Sequence, residues 1–210
     1  MISILIPIYN GIEFIDQAIS SVFSQSYRDW EIIIGINGHE ENSEVYKNTK
    51  RFEGDKIKIL DLYTIHNKAD ALNKMLEYTT YNWIALLDVD DIWKSNKLEK
   101  QIPFTNDYQI VGTKCKYFGD KGNIPKIPVG NLKNFNFKEY NPIINSSCLV
   151  KKELCWWDQK SPAEDYDLWL RLREKHHRFY NVPEVLVLHR IHDKSYFNST
   201  HKNHISIHNA

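Results

Sequence analysis

Strand-like and helix-like patterns alternate four times in the first ~90 residues, and this narrows the possible folds more than any other feature. Ser3–Ile8, Trp30–Ile36, Lys56–Leu62 and Trp83–Leu87 are short apolar runs of the kind that form strands buried on both faces. Between them, Ile12, Ile15, Ala18, Ile19, Val22 and Phe23 share one helical face, Asn42–Phe52 reads as a polar helix, and Ala69–Tyr78 turns Ala71, Leu72, Met75 and Leu76 inward. Asn10 is placed to cap the first helix, with Glu13 as its capping-box partner. Helices between successive buried strands predict parallel βαβ units and a doubly wound sheet.

The second half is less regular. Asn96–Ile102 reads as a short helix and Tyr108–Phe118 as a longer strand open to mixed pairing. Gly119–Asn136 is rich in Gly, Pro, Asn and Lys and reads as a loop or lid. Ile143–Val150 is an apolar strand or a strand–helix junction, Glu164–Lys175 a strong helix, and Val185–Leu188 a last short strand. A tail, 196–210, has no periodicity; its His201, His204 and His208 form a coincidental cluster rather than a metal tract. No repeat or second domain interrupts the chain.

The fourth apolar run ends in Asp88-Val89-Asp90-Asp91. Carboxylates at the C-terminal end of such a strand lie where open α/β sheets bind ligands. Strand alternation would point Asp88 and Asp90 to one side, where they repel unless a cation or proton separates them. Hard oxygen donors suit Mg²⁺ or Mn²⁺ bridging to a substrate phosphate. Taken alone, the same residues read first as a strand end that caps the helix after it.

Composition excludes several classes. Lys plus Arg and Asp plus Glu are both 27, so nothing favours nucleic acid held by bulk charge. Cys115, Cys148 and Cys155 form no CxxC pair, which argues against structural zinc and fits a reducing compartment. The apolar N-terminus is too short for a signal peptide and no run is long enough to span a bilayer, so a cytoplasmic protein is expected. Asn145-Ser-Ser and Asn198-Ser-Thr then match glycosylation sequons by chance.

Five segments, in order, resemble the family 2 glycosyltransferases of GT-A fold: Ser3–Asn10, the opening strand; Asn67–Lys74, the helix before the metal site; Asp88–Asp91, the Asp-x-Asp motif; Glu164–Arg171, the Glu-Asp catalytic segment; and His189–Ser195, the closing Tyr-Arg-x-His-x-x-Ser segment. The resemblance spans residues 3 to about 195. It implies a single Rossmann-like α/β domain over 1–195 with a mostly parallel central sheet, in which 1–92 binds nucleotide and 93–195 shapes the acceptor site. It also implies inverting transfer of a sugar from a nucleoside diphosphate sugar to an acceptor hydroxyl on a glycan or glycoconjugate. A UDP-sugar is the favoured donor and a GDP-sugar the second. Peripheral membrane association stays open, since acceptors in this family are often lipid-linked.

The resemblance also distributes roles. Asp90 is the metal ligand for Mn²⁺ or Mg²⁺; Asp88 contacts ribose or reaches the metal through water; His192 joins the metal or the diphosphate. Asp165 is the base that collects the acceptor proton, and Glu164 positions the acceptor or its loop. Pro7, Ile8, Tyr9, Asn37, Lys68, Ala71 and Val89 line the nucleotide site, and Asp91, Trp169 and Arg190 face the sugars. Trp169 also reads as a core aromatic and Tyr9 as a strand-end packing residue, while Lys68 and Arg190 could be surface charges. Departures accompany the match. Ile36 replaces an Asp that commonly contacts the base or ribose, leaving Asn37 beside it, and His189 stands where Tyr is usual. Two other classes compete: a nucleotidyltransferase that makes nucleotide sugars, and a non-catalytic carbohydrate-binding domain. The first would need a Gly-rich, basic loop after the first strand, whereas Tyr9–Phe14 has one Gly and no basic residue. The second has no use for both Asp90 and Asp165.

Overall fold

The computed structural model describes residues 1–120 and 122–192. In chain order the elements are β1 (Ile2–Ile8), α1 (Ile15–Phe23), β2 (Trp30–Asn37), α2 (Glu44–Lys50), β3 (Ile57–Leu62), α3 (Lys68–Leu76), β4 (Trp83–Leu86), β5 (Ile92–Trp93), α4 (Lys97–Gln101), β6 (Ile110–Gly119), β7 (Gly130–Asn131), β8 (Leu149–Lys151), α5 (Glu164–Glu174) and β9 (Phe179–Ile191). The sheet runs β3-β2-β1-β4-β8-β6-β9-β5, with β7 paired to β9. The βαβ half is parallel as expected: β3, β2, β1 and β4 pair in parallel. The second half is mixed. β8 runs antiparallel between β4 and β6, β6 and β9 are parallel, and β5 and β7 lie antiparallel to β9.

Alternation along the strands splits the core into two layers. Ile2, Ile4, Ile6 and Ile8 of β1 join Ile32, Ile34 and Ile36 of β2 under Ile15, Ala18, Ile19 and Val22 of α1. Leu5 and Ile33 face the other way, against Ala71, Leu72 and Met75 of α3, in a layer that continues to Leu168, Trp169 and Leu172 of α5. All seven residues of β1 are buried, because helices cover both faces. Gly35 lets α3 approach β2: a Cβ there would lie 2.7 Å from Met75 Sδ.

Three local expectations fail. Asn10 caps nothing; a short 3₁₀ turn, Ile12–Phe14, precedes α1, and neither has a side-chain cap bond. Gly11, at φ 86°, makes the turn that the capping box was expected to make. Phe23 is exposed and meets Trp30 edge-on, so α1 buries a narrower stripe than its apolar pattern suggests. The last strand spans Phe179–Ile191, far beyond Val185–Leu188. Pro183 looks like a breaker, but the register with β6 jumps from Thr113–Val182 to Lys114–Val185, so the proline sits in a bulge that needs no N–H. Ile143–Val150 is a junction, with a 3₁₀ turn at Asn145–Ser147 leading into β8. The 196–210 tail and its histidines lie outside the described residues.

Candidate active site

The acidic cluster lies on a turn. β4 stops at Leu86, and Asp91 N–H donates to the Asp88 carbonyl at 3.0 Å. Strand alternation therefore does not govern where Asp88 and Asp90 point; the turn sends each carboxylate to its own partners.

Asp91 goes inward. It is 0% exposed, one oxygen accepts from Arg190 N–H at 2.8 Å, and the other meets His189 Nδ1 at 2.9 Å. Burial disfavours the His189 cation, but Asp91 outweighs it and raises the ring to about 9, so the ring is cationic at neutral pH. The expectation that Asp91 faces a sugar is corrected: both oxygens are engaged in tying the turn to β9.

Asp88 faces α3 and the 145–147 turn. Its Oδ1 accepts from Lys68 Nζ at 2.6 Å, both oxygens accept from Asn145 Nδ2 at 3.0 Å, and Ser146 Oγ donates to Oδ2 at 3.3 Å. Lys68 opens α3, whose first turn is capped by Asn67. The ammonium also lies 3.6 Å from Glu164 Oε1. Burial works against its charge, but Asp88 and Glu164 together raise its pKa. In turn, burial opposes ionisation of Asp88 and Lys68 overcomes it, so its pKa falls. Lys68 thus joins the β4 turn to the start of α5.

Asp165 completes that junction. Its Oδ1 accepts from Tyr166 N–H at 2.7 Å and its Oδ2 from Asn141 Nδ2 at 3.1 Å. Asn141 is oriented in turn, its Oδ1 accepting from Ile143 N–H at 3.1 Å. Burial, and next the Glu164 charge, push the Asp165 carboxyl up to about 6, with Lys68 acting the other way. A carboxyl in that range suits an acceptor of a proton near neutral pH.

Asp90 faces the end of β9. Its Oδ2 lies 3.0 Å from His192 Nε2. Burial and then the Asp91 and Asp88 charges raise its pKa, so the carboxylate gains from a nearby cation. Arg190 braces the same turn. Its Nε donates to the Asp90 carbonyl at 2.9 Å, its Nη2 to Gln17 Oε1 at 2.6 Å, and its guanidinium lies 4.2 Å from the centroids of both Phe14 and Phe118. Arg190 thereby ties the turn that carries Asp90 to α1 and β9. Asp90 and His192 form an oxygen–nitrogen pair suited to Mn²⁺ or Mg²⁺. Among the described residues, no group of three or more His, Cys, Asp or Glu is placed to hold a metal ion.

The expected nucleotide residues divide. Tyr9 is 48% exposed, its ring 5.6 Å from His39, and Gly38 (φ 74°) lets the two rings sit close: a Cβ there would meet Tyr9 Cε2 at 2.6 Å. Pro7, Ile8, Ala71 and Val89 are buried in strand and helix packing, so Ile8, Ala71 and Val89 offer no side-chain surface to a ligand. Asn37 is buried, and its Oδ1 has no hydrogen-bond partner among the described residues. Trp169 is corrected outright: it is 0% exposed and packs edge-on with Phe179 in the core, where no acceptor reaches it. Asn141, Gln17, Phe14 and Phe118 carry no local sequence signal of their place at the site. For Asn145-Ser146 there was a signal, polar residues inside the apolar 143–150 segment, which the sequon match obscured.

A family model described as glycosyl transferase family 2 matches residues 3–179. The chain belongs to that family. Family 2 membership agrees with a relative, the O-antigen biosynthesis glycosyltransferase WbnJ of Escherichia coli, 31% identical over 93% of this chain and 81% of its own length. Among solved structures, S. aureus TarS 1-349 in complex with UDP-GlcNAc superposes with a TM-score of 0.77 at 14% identity, over 94% of this chain and 60% of that one. The mannosyltransferase PcManGT from Pyrobaculum calidifontis, in complex with GDP-Man and Mn²⁺, superposes at 0.70 with 15% identity, over 93% of this chain and 58% of that one. The fold is GT-A, and this family 2 chain spans about three fifths of those structures.

Proposed function

We propose that this chain is a metal-dependent, inverting glycosyltransferase that moves a sugar from a nucleoside diphosphate donor, UDP-linked first and GDP-linked second, to a hydroxyl of a glycan acceptor. The observation that carries it is the chain of contacts Asp88–Lys68–Glu164, which ties the turn that bears Asp90 to the first turn of α5, where Asp165 lies. Residues 1–92 hold the nucleotide and 93–192 form the acceptor side. Asp90 and His192 would hold Mn²⁺ or Mg²⁺, which when bound neutralises charge on a departing diphosphate. Asp165 takes the proton of the acceptor hydroxyl as that oxygen attacks the anomeric carbon from the face opposite the diphosphate. Asn141 and Tyr166 N–H hold the Asp165 carboxylate in place. Lys68 offsets part of the negative charge of Asp88 and Glu164, which otherwise would repel both Asp165 and the donor's phosphates more strongly. The TarS complex with UDP-GlcNAc and the PcManGT complex with GDP-Man and Mn²⁺ support a nucleotide-sugar donor and a divalent ion. The O-antigen name of WbnJ supports a glycan acceptor.

No helix among the described residues is long and apolar enough to cross a membrane. Three buried free cysteines support a reducing, cytoplasmic setting, with peripheral contact to a membrane when the acceptor is lipid-linked. The test is a panel of UDP- and GDP-sugars with Mn²⁺, read by thermal stabilisation and donor hydrolysis. One nucleotide class is expected to stabilise and turn over in a Mn²⁺-dependent manner. Stabilisation by none, or turnover indifferent to chelator, would sink the proposal.

A further inference from the structure

A cleft of about 340 Å³ opens between α3 and the segment that leads into α5. Asp70 forms one wall; Trp156, Asp158, Gln159 and Lys160 form the other. The walls are close in sequence to the acidic centre: Asp70 is two residues past Lys68 on α3, and Lys160 is four before Glu164. The walls are built to hold still. Asn73 clamps the Trp157 backbone on both sides, donating to its carbonyl at 2.7 Å and accepting from its N–H at 3.0 Å. Asp158 Oδ1 accepts from Lys160 N–H at 2.9 Å.

Trp156 is the informative residue. It is 56% exposed, yet it is pinned. Arg171 lies 5.0 Å from its ring centroid, donates from Nη2 to the Trp156 carbonyl at 2.6 Å, and is itself held by Asp167 through Nε at 2.7 Å. A large indole kept both exposed and ordered loses little entropy when a ligand lands on it. Around it stand carboxylates, an amide and an ammonium, groups that hydrogen-bond hydroxyls. Two acids against one lysine make no cradle for an anion, and Asp70 Oδ2 already accepts from Asn67 Nδ2 at 2.6 Å, so no bare acidic pair is offered to a cation. The chemistry that fits is a neutral ligand with one apolar face and a rim of hydroxyls.

We infer that this cleft binds a sugar ring of the acceptor glycan other than the ring whose hydroxyl reacts, an inference that rests on the glycosyltransferase reading above. The acceptor then lies across two points, the reacting ring at Asp165 and a neighbouring ring on Trp156. The cleft selects acceptors by what lies behind the reacting ring and contributes nothing to the donor.

The test uses ¹⁵N-indole NMR on the whole protein, with Trp156→Phe to identify the Trp156 resonance. The probes are neutral trisaccharides of glucose, galactose, mannose and N-acetylglucosamine, added without nucleotide or metal. One sugar series is expected to shift the Trp156 signal selectively and saturably, and Trp156→Ala to weaken the binding of that series about tenfold by titration calorimetry. Trp156→Ala should leave Mn²⁺-dependent donor hydrolysis at the level of the unmodified chain. The inference is overturned if no series moves Trp156, as when another part of a larger assembly covers the cleft, or if all series move it equally and without saturation. Loss of donor hydrolysis in the unmodified chain would instead overturn the proposed function, so the two failures are distinct.

Discussion

Replacing Asp165 by Asn should raise stability while removing activity, and the size of the gain follows from the site. The folded protein holds the Asp165 proton up to about pH 6, against 3.8 for an unperturbed carboxyl. Between those values the folded state binds more proton than the unfolded chain, so stability falls as pH rises through the window and the full cost is present above it. Roughly 2 units at about 1.36 kcal/mol each give an upper bound of about 3 kcal/mol. Asp165 is only partly buried, which reduces that figure. Asn at this position can still accept from Tyr166 N–H, but its amide would confront Asn141 Nδ2, which is fixed by Ile143 N–H; losing that bond costs about 1 kcal/mol. The net expectation is a gain of about 1–2 kcal/mol in urea denaturation near pH 7.5 that disappears near pH 4. Sugar transfer should fall by about 10²–10⁴-fold, the usual loss of a general base. A variant that is less stable at neutral pH, or equally stabilised in acid, would refute the account of the Asp165 environment. One that still transfers sugar would refute its role as base.

Two other substitutions test how charge is buried. Lys97 is fully buried, its Nζ 2.8 Å from Gln101 Oε1 and 4.0 Å from the Trp93 ring centroid, and burial pushes it down to about 7. The unfolded chain keeps that proton to above pH 10, so Lys97 makes stability rise with pH above about 7 by up to ~1.4 kcal/mol per unit. Lys97→Met should be the more stable form near pH 7, and the advantage should shrink toward pH 10; parallel stability curves would contradict this. Asp91→Asn removes the partner that raises His189 to about 9. The stability contributed by that pair is complete below the ordinary histidine pKa and lost as pH rises through about 9, so the variant should lose about 3 kcal/mol near pH 6 and far less near pH 9.5, by denaturation at both pH values. A loss that does not depend on pH would mean the pair is not ionised.

What could be read from the sequence was whatever local pattern determines. The apolar runs at Ser3–Ile8 and Trp83–Leu87 are strands because only a buried parallel sheet accommodates them, and the carboxylates that follow occupy the carboxyl edge by the same logic. Lys68, Asp88, Glu164 and Asp165 were all named, and they converge. What failed depended on distant partners. Asp91 and Asp90 are adjacent acids with no local feature to separate them; β9 and the residue after it, about a hundred residues later, decide that one is an internal anchor and the other faces His192. Trp169 sits on an amphipathic helix whose buried side only the packing of Phe179 reveals. Asn10 satisfies a capping rule, but Gly11 makes the turn in its place. Pro183 reads as a strand breaker until a bulge against β6 accommodates it.

The proposed mechanism has Asp90 and His192 grip a divalent cation against the donor's diphosphate, on the turn that Lys68 ties to α5. Titration calorimetry of UDP and GDP with Mn²⁺ present or chelated, on the unmodified chain and on Asp90→Asn, tests it most directly. The account expects one nucleotide to bind at least about tenfold more tightly with Mn²⁺, and that gain to vanish in Asp90→Asn while the fold stays intact. Equal affinity with and without the metal, or a metal-dependent gain that survives Asp90→Asn, would contradict it.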